Sequence, residues 1–82
     1  MKIHGYKDEG LPIEQIEPSE LAEITLVATP HELREIAAFL KAAADNMERL
    51  GPEYDHEHLS DKKPGFKGSP HFVVFNAHRD AR

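Results

Sequence analysis

The apolar positions of this chain follow two different periods. From Pro30 to about Leu50, Leu33, Ile36, Ala37, Leu40, Ala43, Ala44, Met47 and Leu50 recur at steps of three and four, with Phe39 beside them. That is the period of an amphipathic helix. Arg34, Glu35, Lys41, Asp45, Glu48 and Arg49 fall mostly on its other side. The start of the segment carries three separate signals: Thr29 as an N-cap, Pro30 at the first helical position, and Glu32 closing a capping box. Gly51 followed by Pro52 stops it. Elsewhere the period is two. In AEITLVA, residues 22–28, Ala22, Ile24, Leu26 and Ala28 share one face, and Glu23, Thr25 and Val27 share the other. This is the pattern of a half-buried strand. Phe72, Val73, Val74 and Phe75 are apolar on both faces, as in a central strand.

Two further segments complete the outline. Residues 1–7 form a short candidate strand anchored by Ile3, and residues 54–59 form another. Residues 8–21 hold Pro12, Pro18, Gly10 and several acids, which is loop chemistry. The recurrence of Leu11, Ile13, Ile16 and Leu21 predicts that this loop lies against the body. The order is strand, strand, helix, strand, strand. It predicts an α+β fold in which one long helix packs on one face of a small, mainly antiparallel sheet. With 82 residues the expectation is a single domain, 1–82, with an acidic loop at 8–21 and a frayed tail at 77–82. One helix covers one sheet face. The open face, with Thr25, Val27 and Val73 or Phe75, is left to solvent, the 8–21 loop or another chain, so a homodimer through it is one expected arrangement.

Charge adds to this picture. The net charge is −5, and Asp8, Glu9, Glu14, Glu17, Glu20, Glu23 and Glu32 stand in a span, 8–33, without Lys or Arg. The 53–61 stretch adds Glu53, Asp55, Glu57 and Asp61, while Lys62, Lys63, Lys67, Arg79 and Arg82 gather after it. Such a balance disfavours nucleic acid, whose phosphates it repels. It suits a basic partner protein, whose approach it speeds, although acidity also simply keeps a small protein soluble. The absence of cysteine excludes disulfides and thiolate metal sites and fits a reducing cytoplasm. No apolar run reaches the length of a membrane span, and the first residues lack a signal-peptide core. The expectation is a soluble cytoplasmic protein without membrane contact.

The stretch EYDHEHLSD, residues 53–61, is where chemistry concentrates. His56 and His58 share a strand face and could begin a zinc site. Asp55 and Glu57 point the other way, so His4, His71, His78 or Asp61 would have to converge on them. A small metal-binding protein or metal-dependent enzyme using His56 and His58 is therefore the alternative reading, not the preferred one. Burying ionised acids costs more than burying neutral imidazoles, so the histidine face, with Tyr54, is expected inward or at the sheet edge, and Asp55 and Glu57 outward. General acid–base catalysis lacks support: Ser19, Ser60 and Ser69 sit beside turn residues, and a one-helix fold has little room for a pocket. GFKG, residues 65–68, resembles the backbone-clamping loop of KH domains but lacks the flanking helices, and reads as a turn. No catalytic residue, metal ligand or cofactor is assigned.

Three pieces together resemble the immunity protein 32 family of bacterial polymorphic toxin systems: EPSELAEITLVATPHELREIAAFLKAAADNMERLG, DHEHLSD and GSPHFVVFN, which cover most of residues 17–76. The resemblance implies a non-enzymatic protein that binds a cognate toxin and blocks it stoichiometrically. Joined to the charge layout, it makes Glu53, Asp55, Glu57 and Asp61 the first candidates for partner contact, and Glu17, Glu20 and Glu23 the second.

Overall fold

A computed structural model describes residues 1–78 of the chain. Its principal element is the helix α1, Pro30–Leu50. Its N-terminus is a full capping box: the Glu32 backbone N–H donates to Thr29 Oγ1 at 3.2 Å, and the Thr29 backbone N–H donates to Glu32 Oε1 at 2.8 Å. Two donors that the helix cannot satisfy internally are thereby paired. The Thr29 backbone N–H, and after it the Thr29 side chain, hold the Glu32 carboxyl below the usual carboxylate range. At the other end Gly51 adopts φ 57°, a conformation costly for any residue with a Cβ, and its N–H donates to the Met47 carbonyl.

The strands are short and form two separate antiparallel pairs. β1, His4–Gly5, pairs with β2, Ser19–Glu20, with His4 opposite Glu20. The Leu21 N–H extends this ladder to the Ile3 carbonyl at 2.7 Å. A Cβ at position 5 would lie 2.7 Å from Leu21 Cδ1, so a larger residue there would make the Leu21 side chain shift. Between these strands, Ile13–Gln15 form a 3₁₀ turn, while Leu11 and Ile13 remain exposed and Ile16 is half-buried. The 8–21 segment is thus tied down at its end by pairing and covers little apolar surface.

The second pair joins β3, His56–His58, to β4, Val73–Phe75, with His56 opposite Phe75, Glu57 opposite Val74 and His58 opposite Val73. A single helical turn, α2, Leu59–Lys62, follows β3 directly. The Leu59 N–H donates to the Phe72 carbonyl at 2.9 Å and carries the pairing one step further. Ile36 and Phe39 of α1 pack with Leu59 to form the core, and Phe66, Phe72 and Val74 close around them. The architecture is α+β, with the long helix laid against the β3–β4 side. A second tie lies at the start of α1, where Lys63 Nζ meets Glu35 Oε2 at 3.0 Å. That hydrogen-bonded cation lowers the Glu35 pKa.

One expected strand is missing. Residues 22–28 pair with nothing among the described residues, and Ile24 and Leu26 are about half exposed. Alternation records a strand's fitness for a sheet, but a ladder needs a second edge, and β1–β2 and β3–β4 leave this segment outside both. Of the expected frayed tail, 77–82, residues 79–82 lie outside the described residues.

Candidate functional site

The 53–61 stretch connects the end of α1 to the core. Gly51–Glu53 form a 3₁₀ turn, Tyr54 is buried, and β3 begins two residues later. Its facing corrects the expectation from the sequence. Glu57 and Val74 lie opposite each other on the face turned toward α1, and the Glu57 side chain is only 14% exposed. The histidines occupy the other face. The cost of turning a carboxylate inward is offset by two partners outside β3: Asn46 Nδ2 of α1 donates to Glu57 Oε1 at 3.1 Å, and Lys62 Nζ of α2 stands 3.6 Å from Oε2. An inward carboxylate supplied with donors is cheaper than one without.

The outer face is an array of rings. His56 stacks on Phe75, with centroids 4.9 Å apart and planes at 20°. His58 meets His56 edge-on at 5.1 Å and His71 at 6.1 Å. His56 Nδ1 lies 2.6 Å from Asp55 Oδ2, so this acid and this imidazole share a hydrogen bond. The structure does bring His71 toward the pair, as a metal site would need. Even so, no group of three or more His, Cys, Asp or Glu side chains among the described residues is arranged to hold a metal ion.

Around the array the acids take different positions. Glu53, Asp55 and Asp61 are exposed, whereas Glu57 is engaged beneath them. Glu17, Glu20 and Glu23 are exposed on and around β2. An open cleft of about 380 Å³ lies at the end of α1, lined by Ala44, Met47, Gly51, Pro52 and Asn76 among others. None of His56, His58 and His71 reaches it. The imidazoles therefore lie apart from this cleft.

Of two buried residues in this region, the sequence does not single out Asn76, whereas Tyr54 is expected inward. Asn76, just past β4, is 3% exposed, and its side chain holds the turn that leads into β3. Nothing local marks it, since an asparagine after a strand is commonly a turn residue. Tyr54 is equally buried, and its hydroxyl oxygen makes no hydrogen bond. Burial, and after it the nearby Glu57 carboxylate, push its phenol from 10.0 up to about 12. The folded chain thus keeps a proton that the unfolded chain releases at the ordinary value. The associated stability is full below pH 10 and is lost as pH rises toward about 12. The shift corresponds to at most about 2–3 kcal/mol. In a Tyr6→Phe background Tyr54 is the sole phenol. Its phenolate absorbance should appear near 12, or together with alkaline unfolding where that comes first; a midpoint near 10 in the folded protein would remove the buried hydroxyl.

No helix among the described residues is long and apolar enough to cross a membrane. No curated protein and no solved structure matches the chain. A family model does: that of immunity protein 32 matches residues 23–77, which hold α1, β3, α2, β4 and the acidic and histidine-bearing stretch between them. A match over well over half of the chain places this protein in the immunity protein 32 family.

Proposed function

We propose that the protein is a cytoplasmic immunity protein of a polymorphic toxin system, which binds a cognate bacterial toxin and neutralises it without chemistry of its own. The observation that carries this reading is the family match across residues 23–77. The acidic surface supplies the contact. Glu53, Asp55 and Asp61 are exposed along the 53–61 stretch, Asp55 bonded to His56 of the ring array, with Glu57 anchored by Asn46, and Glu17, Glu20 and Glu23 provide a second acidic group. Aromatic and imidazole rings on an open face, carried by the same stretch as exposed carboxylates, have the composition of a contact surface. A net charge of −5 favours a basic toxin surface and fast encounter.

The test is co-expression with the toxin encoded next to the gene. Growth should be rescued, and the pair should elute as a complex. Reversing two exposed charges, Glu53→Lys with Asp61→Lys, should slow association by about tenfold at low salt and less at high salt, with circular dichroism unchanged. Failure of both rescue and complex formation refutes the pairing. An intact association rate in the double variant moves the contact away from this stretch.

A further inference from the structure

The segment 22–28 has the alternation of a strand but pairs with no strand among the described residues. Its side chains alternate as in a strand, yet none of its residues makes a hydrogen bond among the described residues. Its apolar groups stand in water: Ile24 is 46%, Leu26 48% and Val27 97% exposed. It belongs to the family unit, whose match begins at residue 23, whereas β1 and β2 lie before that point. It leads directly into α1, which carries a second uncovered apolar row: Leu33, Ala37, Leu40 and Ala44 are all exposed, at steps of four, three and four. The core uses a different row, Ile36, Phe39 and Ala43. Rows of this spacing are what one helix presents to another.

We infer that residues 22–28 pair antiparallel with residues 22–28 of a second copy of this chain, forming a two-fold symmetric dimer whose interface continues onto the Leu33–Leu40 row of α1. The argument for a second copy is that the segment is complementary to itself. Centred on Thr25, antiparallel pairing sets Ala22 opposite Ala28, Glu23 opposite Val27, Ile24 opposite Leu26, and Thr25 opposite its own copy. One face is then apolar throughout. Threonine pairs are favourable across antiparallel strands, and no like charges are opposed. Parallel pairing would instead set Glu23 against Glu23. A two-fold operator matches each residue to its reciprocal partner and closes the assembly at two chains. Pairing supplies backbone partners for a segment that has none among the described residues, and sets Ile24 against Leu26 across the two strands. The inference does not depend on the toxin reading, because dimerisation is measurable without any toxin.

The chain contains no cysteine, so a single introduced thiol reports the register. Directly opposed residues of an antiparallel pair lie within disulfide reach. Thr25→Cys should therefore oxidise to a covalent dimer at least about tenfold faster than Glu23→Cys, whose two thiols sit diagonally apart. Light scattering across a concentration series should show a dimer for the unmodified protein. Thr25→Pro should lose it, with circular dichroism unchanged, since that N–H makes no hydrogen bond among the described residues. A monomer at the highest soluble concentration overturns the inference, as does equal oxidation of the two cysteine variants or a dimer that survives Thr25→Pro. Protection of this segment that appears only when toxin is added also overturns it, and makes the toxin the occupant.

Discussion

Phe39→Ala is expected to leave the protein largely unfolded at physiological temperature. Phe39 is 2% exposed and sits at the centre of a core with few other members. Its ring meets Phe72 edge-to-face at 6.3 Å, joining α1 to the residue that precedes β4. Removing it loses the transfer energy of the ring and leaves a cavity, a combined cost of about 3–5 kcal/mol. A chain of this length is ordinarily stable by about 4–12 kcal/mol in total. With Ile36, Phe39, Ala43, Tyr54 and Leu59 as its buried apolar residues among those described, this one has little in reserve. Phe39→Leu keeps most of the volume and should cost about 1–2 kcal/mol, which leaves a measurable folded state. Urea titrations followed by circular dichroism distinguish the two. A Phe39→Ala unfolding free energy within about 1 kcal/mol of the parent's would show that the α1–β4 contact is not what holds the fold.

The sequence discloses what depends on neighbours along the chain and conceals what depends on neighbours across the fold. Thr29, Pro30, Glu32, Gly51 and Pro52 each act within a turn of where they stand, so both ends of α1 were readable. The β3–β4 pair was readable in outline for the same reason, since its apolar and turn residues mark it locally. Its facing was not. The cost of an inward carboxylate at position 57 is set by Asn46 on α1 and Lys62 on α2, and no local rule reports that either will arrive. α2 itself interrupts what the pattern read as the end of a strand at 59, because Leu59 is drawn into the core with Phe39. The 22–28 segment shows the opposite failure. Its alternation predicts a strand, but pairing is a relation between two edges, and among the described residues the segment joins neither β1–β2 nor β3–β4.

The same distinction bears on the candidate contact surface. Glu53, Asp55, Glu57 and Asp61 look equivalent as a run of acids, and the fold separates them. Glu57 is held by Asn46 and Lys62, Asp55 shares a hydrogen bond with His56, and Glu53 and Asp61 stand exposed at the two ends of the stretch. A carboxylate already engaged by its own chain must release its partner before it can serve another molecule. Exposed ones surrender only water. Charge reversal at Glu53 and Asp61 is therefore a cleaner probe of toxin binding than reversal at Glu57, which would disturb the β3–α1 junction.

Asn76→Ala is the second substitution expected to have a large effect. The Asn76 side chain links three places: Nδ2 donates to the Gly51 carbonyl at 3.2 Å and to the Tyr54 carbonyl at 3.1 Å, and Oδ1 accepts from the His78 N–H at 3.0 Å. Its backbone N–H also donates to the Asp55 carbonyl at 3.0 Å. One residue thus fastens the end of β4 to the turn that leaves α1. Truncation strands the Tyr54 carbonyl in a buried position, and each such orphan costs about 1–3 kcal/mol. With the His78 contact also lost, the expected destabilisation is about 2–4 kcal/mol. Asn76→Asp separates lost volume from lost donors: it keeps the shape and the acceptor for His78, but turns an anion toward two carbonyl oxygens. It should therefore be at least as unstable as Asn76→Ala at neutral pH, and should regain stability as acid protonates it. Denaturant midpoints at neutral and acidic pH measure this directly. An aspartate variant as stable as the parent at neutral pH would mean that the two carbonyls do not need the amide. Because this junction sets where Glu53 and Asp55 stand relative to the outer rings of β3 and β4, Asn76→Ala should also weaken toxin capture, although Asn76 itself is buried beneath that surface.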